Sequence, residues 1–317
     1  MDYYAGLDVS LELTSVCIVD KDGKIIRETK VASEPAALAA LFAGLGLPLT
    51  RIGLEASPLS EWLHEGLTAA GHEVVLLETR HVKAALSAMT VKTDRKDARG
   101  IAQLLRMGWF RPVHRKTQAA QEVRTLLTAR KLLLGKMIDV ELSIRGLLRG
   151  FGLKVGPTTK PKFAGRIREL IAGQAMLEAV IEPLLRCREV LRAEFAGLHK
   201  QLLATVRGNE VCRRLMTAPG VGPVAALTFT TAIDEPTRFS SSRAVGAHLG
   251  LTPRKYQSGE TDVTGGISKA GDAMARTALY DAAVALLYKA RPSALKAWAL
   301  AVARRRGAKR ALVALAR

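Results

Sequence analysis

Cysteine, histidine and aromatic residues are scarce and scattered in this chain of 317 residues. Its three cysteines show no C-x-x-C spacing, which argues against both a disulfide framework and a cysteine-built metal site. The six histidines likewise lack the spacing of metal ligands. Aromatic residues make up 5% of the chain, and its three tryptophans lie too far apart in the sequence to form a base-stacking platform. We expect these tryptophans in cores or interfaces.

Long hydrophobic runs are also missing. The longest apolar stretch, residues 36–49, is interrupted by Gly44, Gly46 and Pro48. What remains is about half of the roughly 20 residues that a membrane span needs. The first residues lack the basic region and the apolar region of a secretory signal. The sequence therefore predicts a cytoplasmic protein without a transmembrane helix.

Acidic residues are few relative to basic ones, 29 against 48, which gives a net charge of +19 at neutral pH. Such an excess calls for a polyanionic partner, either nucleic acid or an anionic membrane surface. Residues 1–112 are balanced, with 13 basic and 14 acidic side chains, whereas residues 113–317 hold 35 and 15. The second part is thus predicted to bind the polyanion, and the first keeps carboxylates available for a divalent metal.

The first part has the pattern of an α/β domain. β-rich runs at 3–9, 14–19 and 25–31 predict three antiparallel strands, the last two joined as a hairpin. The short apolar runs 52–54 and 74–77, each preceded by a helical pattern, predict parallel strands reached by crossover helices. We therefore expect a mixed sheet over residues 1–112.

The middle, residues 113–205, has helical periodicity throughout. Two stretches, 123–147 and 177–202, advance by alternating steps of three and four, with a Gly- and Pro-rich segment at 152–161 between them. This predicts an antiparallel helical hairpin that contributes an interface and an RNA-facing surface. A pivot near residue 159 would bring Arg130 and Arg188 to the same level, where like charges must either snorkel to solvent or meet an anion.

Four carboxylates in the first part occupy unusual positions. Asp8 lies inside the first predicted strand, where an acid is disfavoured unless a ligand or partner compensates it. Glu55 follows an apolar strand. Asp94 and Asp97 are three residues apart at a predicted helix start and so share one helical face. Oxygen donors at two strand ends and a helix start suit one or two Mg²⁺ ions on a phosphodiester. Alternatively, Asp94 caps the helix and Asp97 favours its dipole, which would leave Asp8 and Glu55 unexplained.

Six motifs along the chain resemble, in their sequence and their order, those of one known family, the bridge-RNA-guided insertion-sequence transposases, which are serine recombinases. Three contain the four carboxylates and resemble the DEDD tetrad of that family's RuvC-like domain, and three resemble its C-terminal transposase domain. They are Gly6-Leu7-Asp8-Val9-Ser10, Leu54-Glu55-Ala56-Ser57, Lys92-Thr93-Asp94-Arg95-Lys96-Asp97-Ala98, Ala218-Pro219-Gly220-Val221-Gly222, Gly250-Leu251-Thr252-Pro253-Arg254-Lys255-Tyr256-Gln257-Ser258-Gly259 and Ile267-Ser268-Lys269-Ala270-Gly271. The resemblance extends over nearly the whole chain, and the combination is far more specific than any single motif.

The resemblance implies a three-part architecture. Residues 1–112 would form an RNase H-like, RuvC-like mixed-sheet domain, residues 113–205 a helical hairpin or coiled-coil segment, and residues 206–317 a mainly helical transposase domain. It further implies that the four carboxylates, Asp8, Glu55, Asp94 and Asp97, bind Mg²⁺ and that Ser258 forms a covalent phosphoserine link to DNA. The implied partners are donor and target double-stranded DNA, a structured guide RNA and further copies of the chain as a dimer or tetramer.

The residues around Ser258 support that role independently but more weakly. Ser258 lies in a predicted Gly-flanked loop, which lets backbone approach a phosphate, and Arg254 and Lys255 precede it to neutralise developing charge. A Ser-Gly pair is a plain turn in most proteins. Ser268 beside Lys269 is a rival nucleophile, although Lys269 is equally a candidate phosphate anchor.

Two further segments are candidate DNA contacts. Gly220 and Gly222 resemble the hairpin of a helix-hairpin-helix element, in which backbone N–H groups face a phosphate, but such a run is also a common turn. The basic cluster 304–310 is either a solvated helix face or a phosphate track.

Three functions remain open from the sequence. The leading hypothesis is a transposase that cuts and rejoins DNA through a phosphoserine. A RuvC-like, Mg²⁺-dependent, structure-specific nuclease would instead hydrolyse DNA and leave Ser258 structural, and a covalent protein–DNA adduct discriminates between the two. A non-catalytic nucleic-acid-binding protein is the third hypothesis, and the intact set of four carboxylates speaks against it.

Overall fold

The computed structural model describes residues 2–87 and 91–317, and the chain divides into two units, Met1–Lys116 and Thr117–Arg317. The first unit ends later than the predicted boundary at residue 112, because the following residues still pair with the sheet. The Val113 N–H donates to the Leu76 carbonyl at 2.8 Å. The segments predicted as separate parts, 113–205 and 206–317, lie together in the second unit.

The first unit is built around a five-stranded mixed sheet, as the sequence predicts. Its strand order is β3-β2-β1-β4-β5; β1, β2 and β3 pair antiparallel, whereas β4 is parallel to both β1 and β5. The elements are β1 (Tyr3–Val9), β2 (Leu13–Asp20), β3 (Ile25–Ala32), α1 (Pro35–Leu45), β4 (Leu49–Glu55), α2 (Ser60–Ala69), β5 (Val74–Leu77), α3 (Thr79–Leu86) and α4 (Asp94–Arg106).

Both faces of this sheet are covered by helices. On one face, Leu38 and Phe42 of α1 and Leu63 of α2 pack in a buried cluster with side chains of the central strands. On the other face α4 lies directly on β1, and a Cβ at Gly6 would overlap with the carbonyl oxygen of Ala98 in that helix. Glycine at position 6 thus permits the close approach that brings the first turn of α4 to the end of β1.

The second unit is mainly helical, with one small hairpin of strands. It consists of α5 (Gln118–Arg149), α6 (Phe163–Ile171), α7 (Ala175–Gly208), α8 (Glu210–Leu215), α9 (Pro223–Ile233), α10 (Ser242–His248), β6 (Pro253–Ser258), β7 (Thr261–Ile267), α11 (Ala273–Lys289), α12 (Ala294–Arg306) and α13 (Ala308–Ala316). Among the residues described, no helix combines the length and apolar character that crossing a bilayer requires.

The helices α5 and α7 form the predicted antiparallel hairpin, but its register differs from the prediction. The Arg130 Nε lies 3.3 Å from His199 Nδ1, and Arg188 donates from Nε to Glu141 at 2.7 Å. The two arginines are therefore at different levels, about 16 Å apart along α5 at the helical rise per residue. The prediction that they share a level is wrong because α6, which was not anticipated, moves the pivot beyond residue 159.

Arg188 does not snorkel to solvent, since its side chain is 1% exposed. It is held by Glu141, by Glu189 at 2.6 Å and by the Lys160 carbonyl at 2.9 Å, and it stacks over the ring of Phe163. The second possibility drawn from the sequence, that the charge meets an anion, is thus the one realised here. This network ties the segment before α6 to the helical hairpin.

Candidate functional site

Asp8 and Glu55 lie side by side at the ends of two parallel strands. The last register pair between β1 and β4 is Leu7 with Leu54, so the two acids occupy the next position on each strand. Side chains alternate between faces of a sheet, which places both acids on the same face as Gly6, the face that α4 covers. The sheet therefore directs both carboxylates toward the first turn of α4.

The other two predicted carboxylates begin that helix. Thr93, not Asp94, is its N-cap, and the Thr93 hydroxyl accepts from the Lys96 N–H at 3.3 Å. Asp94 is the first helical residue; its side chain is 56% exposed and pairs with Lys30 at 3.3 Å. Asp97 is more enclosed, at 17% exposed, and lies 3.8 Å from Lys92. The capping explanation for Asp94 is therefore wrong, although both acids still favour the helix dipole.

The electrostatics place Asp8 and Glu55 in the field of neighbouring acids. Burial raises the pKa of the Asp8 carboxyl, and the charges of Asp97 and Asp94 raise it further. Burial also raises the pKa of Glu55, with additional contributions from Asp8 and Asp97. Lys92 opposes both shifts, so the like charges outweigh the nearby cation. Such mutual repulsion favours binding of a cation between the carboxylates.

The donor chemistry of this site fits Mg²⁺. All four side chains offer carboxylate oxygens, which hard divalent cations prefer. Within residues 2–87 and 91–317, no group of three or more His, Cys, Asp or Glu side chains is placed so that it could hold a metal ion as it stands. A closed cage is not what Mg²⁺ requires, because it keeps several waters and is held through one or two carboxylates and substrate phosphates.

Ser258 lies in the second unit, at the end of a strand rather than in the predicted loop. It is the last residue of β6 and pairs with Thr261 of β7 across a tight turn, where Gly259 has a φ of +54°. Its side chain is exposed, and Tyr256 and Val263 form the next pair on the same face of the hairpin. The structure thus presents the Ser258 hydroxyl at the exposed tip of a two-stranded hairpin.

The two cations predicted to accompany Ser258 are placed differently from each other. Lys255 pairs with Thr264 in the register, so its side chain leaves the hairpin on the opposite face from Ser258 and forms an ion pair with Asp262 at 3.1 Å. Arg254 is exposed at an irregular point of the pairing between Pro253 and Lys255. The structure does not bring Lys255 to the side of the serine.

The rival serine lies in a packed segment. The Ser268 N–H donates to the Thr252 carbonyl at 2.8 Å, and its half-buried hydroxyl accepts from the Ala270 N–H at 3.4 Å. Lys269 beside it has a left-handed φ of +54°. Ser268 is therefore less accessible than Ser258.

Arg276 stabilises this segment, although no pattern in the sequence indicates this role. Its guanidinium donates to the carbonyls of Leu249 at 3.2 Å and Gly271 at 3.1 Å, and also to that of Ala270. Gly250 and Gly271 permit the close contact, since a Cβ at Gly271 would overlap with the His248 carbonyl oxygen. Such contacts join residues far apart in sequence, which local patterns do not reveal.

The two glycines of the candidate DNA-holding turn have different roles in the fold. Both lie between α8 and α9. Gly220 has a φ of +89°, and a Cβ there would overlap with the Ala282 carbonyl oxygen of α11, so it serves helix packing. Gly222 is the N-cap residue of α9, and a Cβ there would meet no atom within 4 Å. Only Gly222 leaves open space in front of a helix N-terminus.

Comparison with known proteins finds matches in both units of the chain. Residues 5–152 match a transposase family model whose name contains DEDD, and residues 212–299 match the model described as Transposase IS116/IS110/IS902 family. Part of the fold is similar to Thermus thermophilus RuvC in complex with a Holliday junction substrate, at 15% identity and a TM-score of 0.27, over 36% of this chain and 100% of that one.

Two curated relatives match along almost the whole chain. A transposase for insertion sequence element IS1111A from Coxiella burnetii is 32% identical over 98% of this chain and 85% of its own length. A probable family 20 transposase from Pseudomonas aeruginosa is 28% identical over 98% of this chain and 92% of its own. This chain therefore belongs to the IS116/IS110/IS902 family of insertion-sequence transposases.

Proposed function

We propose that this transposase cuts and rejoins DNA in the cytoplasm through a phosphoserine at Ser258, with Mg²⁺ at the carboxylates of the first unit and a structured RNA as guide. The observation that carries the proposal is the convergence of Asp8 and Glu55 on the first turn of α4, where burial and, after it, the charges of neighbouring acids raise the pKa of both. Structural carboxylates are normally paired or solvated, so a shared, repulsive field points to a bound cation.

The carboxylates would act by holding and positioning. Asp8, Glu55, Asp94 and Asp97 would hold one or two ions, each through one or two carboxylates, with Asp94 and Asp97 exchanging their contacts with Lys30 and Lys92 for them. When bound, Mg²⁺ supplies a Lewis acid that neutralises charge on phosphate oxygens. The two strand ends are fixed by the sheet, so Asp8 and Glu55 keep their places while the more exposed Asp94 adjusts.

Ser258 would supply the nucleophile. Its Oγ forms a bond to phosphorus and loses its proton to solvent, while the phosphodiester bond to the departing strand breaks in line and the departing oxygen takes up a proton. Rejoining reverses this step, since a strand hydroxyl attacks the phosphoserine and releases Ser258. Exposure at a hairpin tip and the absence of a Cβ at Gly259 allow a DNA backbone to approach the hydroxyl closely.

The nucleic-acid partners are supported by charge and by motif order. Residues 113–317 carry 35 basic and 15 acidic side chains, a surplus that suits the phosphates of double-stranded DNA and of an RNA. The guide RNA itself rests on the resemblance of the six motifs to bridge-RNA-guided transposases. Side chains do not encode a target site, and base pairing with a guide would provide that choice.

One observation favours a second candidate, a nuclease that hydrolyses DNA without a covalent intermediate. In the part of the chain that the structure describes, Ser258 Oγ has no hydrogen-bond partner, and the nearby Lys255 is paired with Asp262 instead. A serine nucleophile needs activation, because its ordinary hydroxyl is a weak nucleophile at neutral pH. In the hydrolytic alternative a water attacks in its place.

An assembly of several copies is supported by a stripe of exposed residues on α7. The stripe advances by steps of four and three and points away from α5, and most of its residues are apolar or small. Its members are Met176, Val180, Pro183, Cys187, Val190, Glu194 and Gly197. This spacing is typical of helix-to-helix packing, and a second copy of the hairpin would cover it.

The decisive experiment is to trap a denaturant-resistant protein–DNA adduct with labelled DNA that carries the ends of the insertion sequence. The wild type and Ser268→Ala should form the adduct, whereas Ser258→Ala should form none and should lose recombination. An adduct that persists in Ser258→Ala but disappears in Ser268→Ala would assign the nucleophile to Ser268. Cleavage without an adduct in any variant would favour the hydrolytic nuclease.

A further inference from the structure

The tip of the helical hairpin carries a concentration of positive charge that the proposed chemistry does not use. Residues 142–168 contain seven lysines and arginines and no acidic residue. The end of α5 and the turn after it enclose a small cavity of about 170 Å³. This is several times the roughly 30 Å³ that one water molecule occupies in the liquid. Its lining residues are Arg145, Arg149, Leu153, Lys154, Val155 and Gly156.

One of the cavity's cations is fixed in place without an acidic partner among the residues that the structure describes. Arg145 donates to the Gly156 carbonyl at 2.9 Å, and its guanidinium lies over the ring of Phe163 at 5.2 Å. Arg188 lies over the same ring at 4.9 Å and also donates to the Lys160 carbonyl, so the turn is tied to the hairpin. Arg145 is therefore ordered before any ligand arrives, which lowers the entropic cost of binding an anion.

The other two cations are less easily explained by the fold. Arg149 follows Arg145 by one helical turn, and like charges at this spacing repel. Neither Arg149 nor Lys154 has an ion pair with an acidic side chain in the part of the chain that the structure describes. The dipole of α5 favours arginine in its last turn, but Lys154 lies beyond that helix. Three cations around one cavity suit a phosphate group.

An aromatic side chain adjoins this cavity in the sequence. Phe151 is 64% exposed and lies between the lining residues Arg149 and Leu153. Exposed phenylalanine beside cations is typical of surfaces that stack an unpaired base, because every base has a π-face. The flanking Gly150 and Gly152 add no side chains that would hinder such a base.

We propose that this cavity binds a backbone phosphate of an unpaired nucleotide whose base stacks on Phe151. The inference rests on the nucleic-acid partner of the proposed function and deepens it by giving that partner a contact on the second unit. Unpaired RNA and single-stranded DNA share this chemistry, and the 2′-hydroxyl distinguishes them. A duplex keeps its bases stacked inside and would use the phosphate contact alone.

The test measures binding of the full-length chain to three fluorescein-labelled probes of one sequence, a single-stranded RNA, a single-stranded DNA and the DNA duplex. Probes of about 12 nucleotides match the usual size of single-strand sites. The double variant Arg149→Ala with Lys154→Ala should bind both single strands on the order of tenfold more weakly. Its salt-dependence slope should fall by about 0.7, the contribution of one phosphate contact on a single strand. If the wild type binds the single-stranded RNA more tightly than the single-stranded DNA, RNA is the nucleic acid that occupies the cavity.

The matched control removes two cations of the same helix away from the cavity, Lys131→Ala with Lys136→Ala. It should weaken binding much less than the cavity variant. Phe151→Leu should weaken single-strand binding by about 5- to 150-fold and leave the affinity for the duplex unchanged. Phe151→Tyr, which keeps an aromatic ring, should bind single strands as tightly as the wild type. Phe151 is exposed, so these substitutions leave the folded chain intact.

Several results would overturn the inference. Equal losses of affinity in the cavity variant and the control would show that the cavity is not the binding site. An unchanged affinity of Phe151→Leu for single strands would show that no base stacks on Phe151. Either result would leave the proposed function standing if the Ser258-dependent adduct still forms. Conversely, loss of the adduct with retained cavity effects would contradict only the proposed function. No binding of the wild type to any probe would overturn the inference, whatever the adduct experiment shows.

Discussion

Gly6 of β1 and Gly53 of β4 are register partners in the parallel part of the sheet, and together they form the part of the sheet surface against which α4 packs. A Cβ at Gly6 would overlap with backbone atoms of α4, whereas a Cβ at Gly53 would meet the ends of side chains, Leu105 at 2.6 Å and Leu77 at 2.8 Å. The two glycines therefore determine how closely α4, whose first turn carries Asp94 and Asp97, approaches the sheet.

Gly6→Ala should therefore destabilise the first unit more than Gly53→Ala. A backbone contact cannot rotate away, so we expect a loss of about 1–3 kcal/mol for Gly6→Ala, as for other overpacked cores, and less for Gly53→Ala. Thermal unfolding followed by circular dichroism would measure both. Gly44→Ala is the control, since a Cβ there meets no atom within 4 Å and should be neutral or stabilising. A larger loss of stability for Gly53→Ala than for Gly6→Ala would contradict this account of the packing between α4 and the sheet.

Asp94→Asn should abolish strand cleavage while DNA binding persists. The substitution removes a charge that the proposed ion needs but keeps the shape and the N-terminal helix position, so we expect a loss of activity on the order of 100-fold or more. Excision or integration of a plasmid-borne element would report activity, and a gel shift would report binding. Asp22→Asn, at the exposed turn between β2 and β3, is the matched control. Full activity of Asp94→Asn at ordinary Mg²⁺ would remove this residue from the site.

The raised pKa values of Asp8 and Glu55 predict a specific dependence of stability on pH. In the absence of metal the folded state binds protons more tightly than the unfolded state, so stability falls as pH rises through the folded pKa values. Asp8→Asn should then be more stable than the wild type at neutral pH. The difference should disappear below about pH 4, where the ordinary carboxyl is protonated in both states.

Addition of Mg²⁺ should reverse that order at neutral pH. Binding to the folded state alone raises the melting temperature of the wild type, whereas Asp8→Asn lacks one of the ligands and should respond much less. Ca²⁺ serves as a second ion, because it accepts the same oxygen donors with a different geometry. Equal responses of wild type and Asp8→Asn to Mg²⁺ would show that the ion binds elsewhere.

Arg188→Lys should destabilise the helical hairpin by several kcal/mol. Lysine cannot reach Glu141, Glu189 and the Lys160 carbonyl together, and breaking a buried ion pair typically costs about 3–5 kcal/mol. Urea unfolding followed by circular dichroism would measure the loss. Arg192→Lys also removes a contact with Glu189 but lies at the surface, and should stay within about 0.5 kcal/mol of the wild type. Similar losses for the two variants would contradict a buried network.

Val190→Asp should reduce the mass of the assembly in solution without unfolding either unit. Val190 is exposed on the α7 stripe, so a charge there does not disturb the core of the chain itself but would be buried against a second copy. Light scattering after size exclusion would measure the mass. Leu295→Asp, an exposed residue of α12 outside the stripe, is the control. An unchanged mass for Val190→Asp would place the assembly surface elsewhere.

Local patterns determined much of this fold from the sequence alone. The strands of the first unit, the mixed sheet and the two long helices of the hairpin follow from hydrophobic periodicity and turn residues, which act within a few positions of the chain. The carboxylates at strand ends were also identifiable, because an acid in a buried strand conflicts with its local environment. The sequence therefore indicated both the architecture and the candidate site.

Only the tertiary structure decided how distant residues meet. The insertion of α6 sets which residues of α5 and α7 face each other, so Arg188 meets Glu141 rather than Arg130. Strand pairing places Lys255 on the opposite face from Ser258, a consequence of register that a linear motif does not contain. Local propensity is fixed by neighbours in sequence, but pairing, register and burial depend on the packing of the whole chain. For that reason the sequence named the candidate residues, and the fold decided which of them act together.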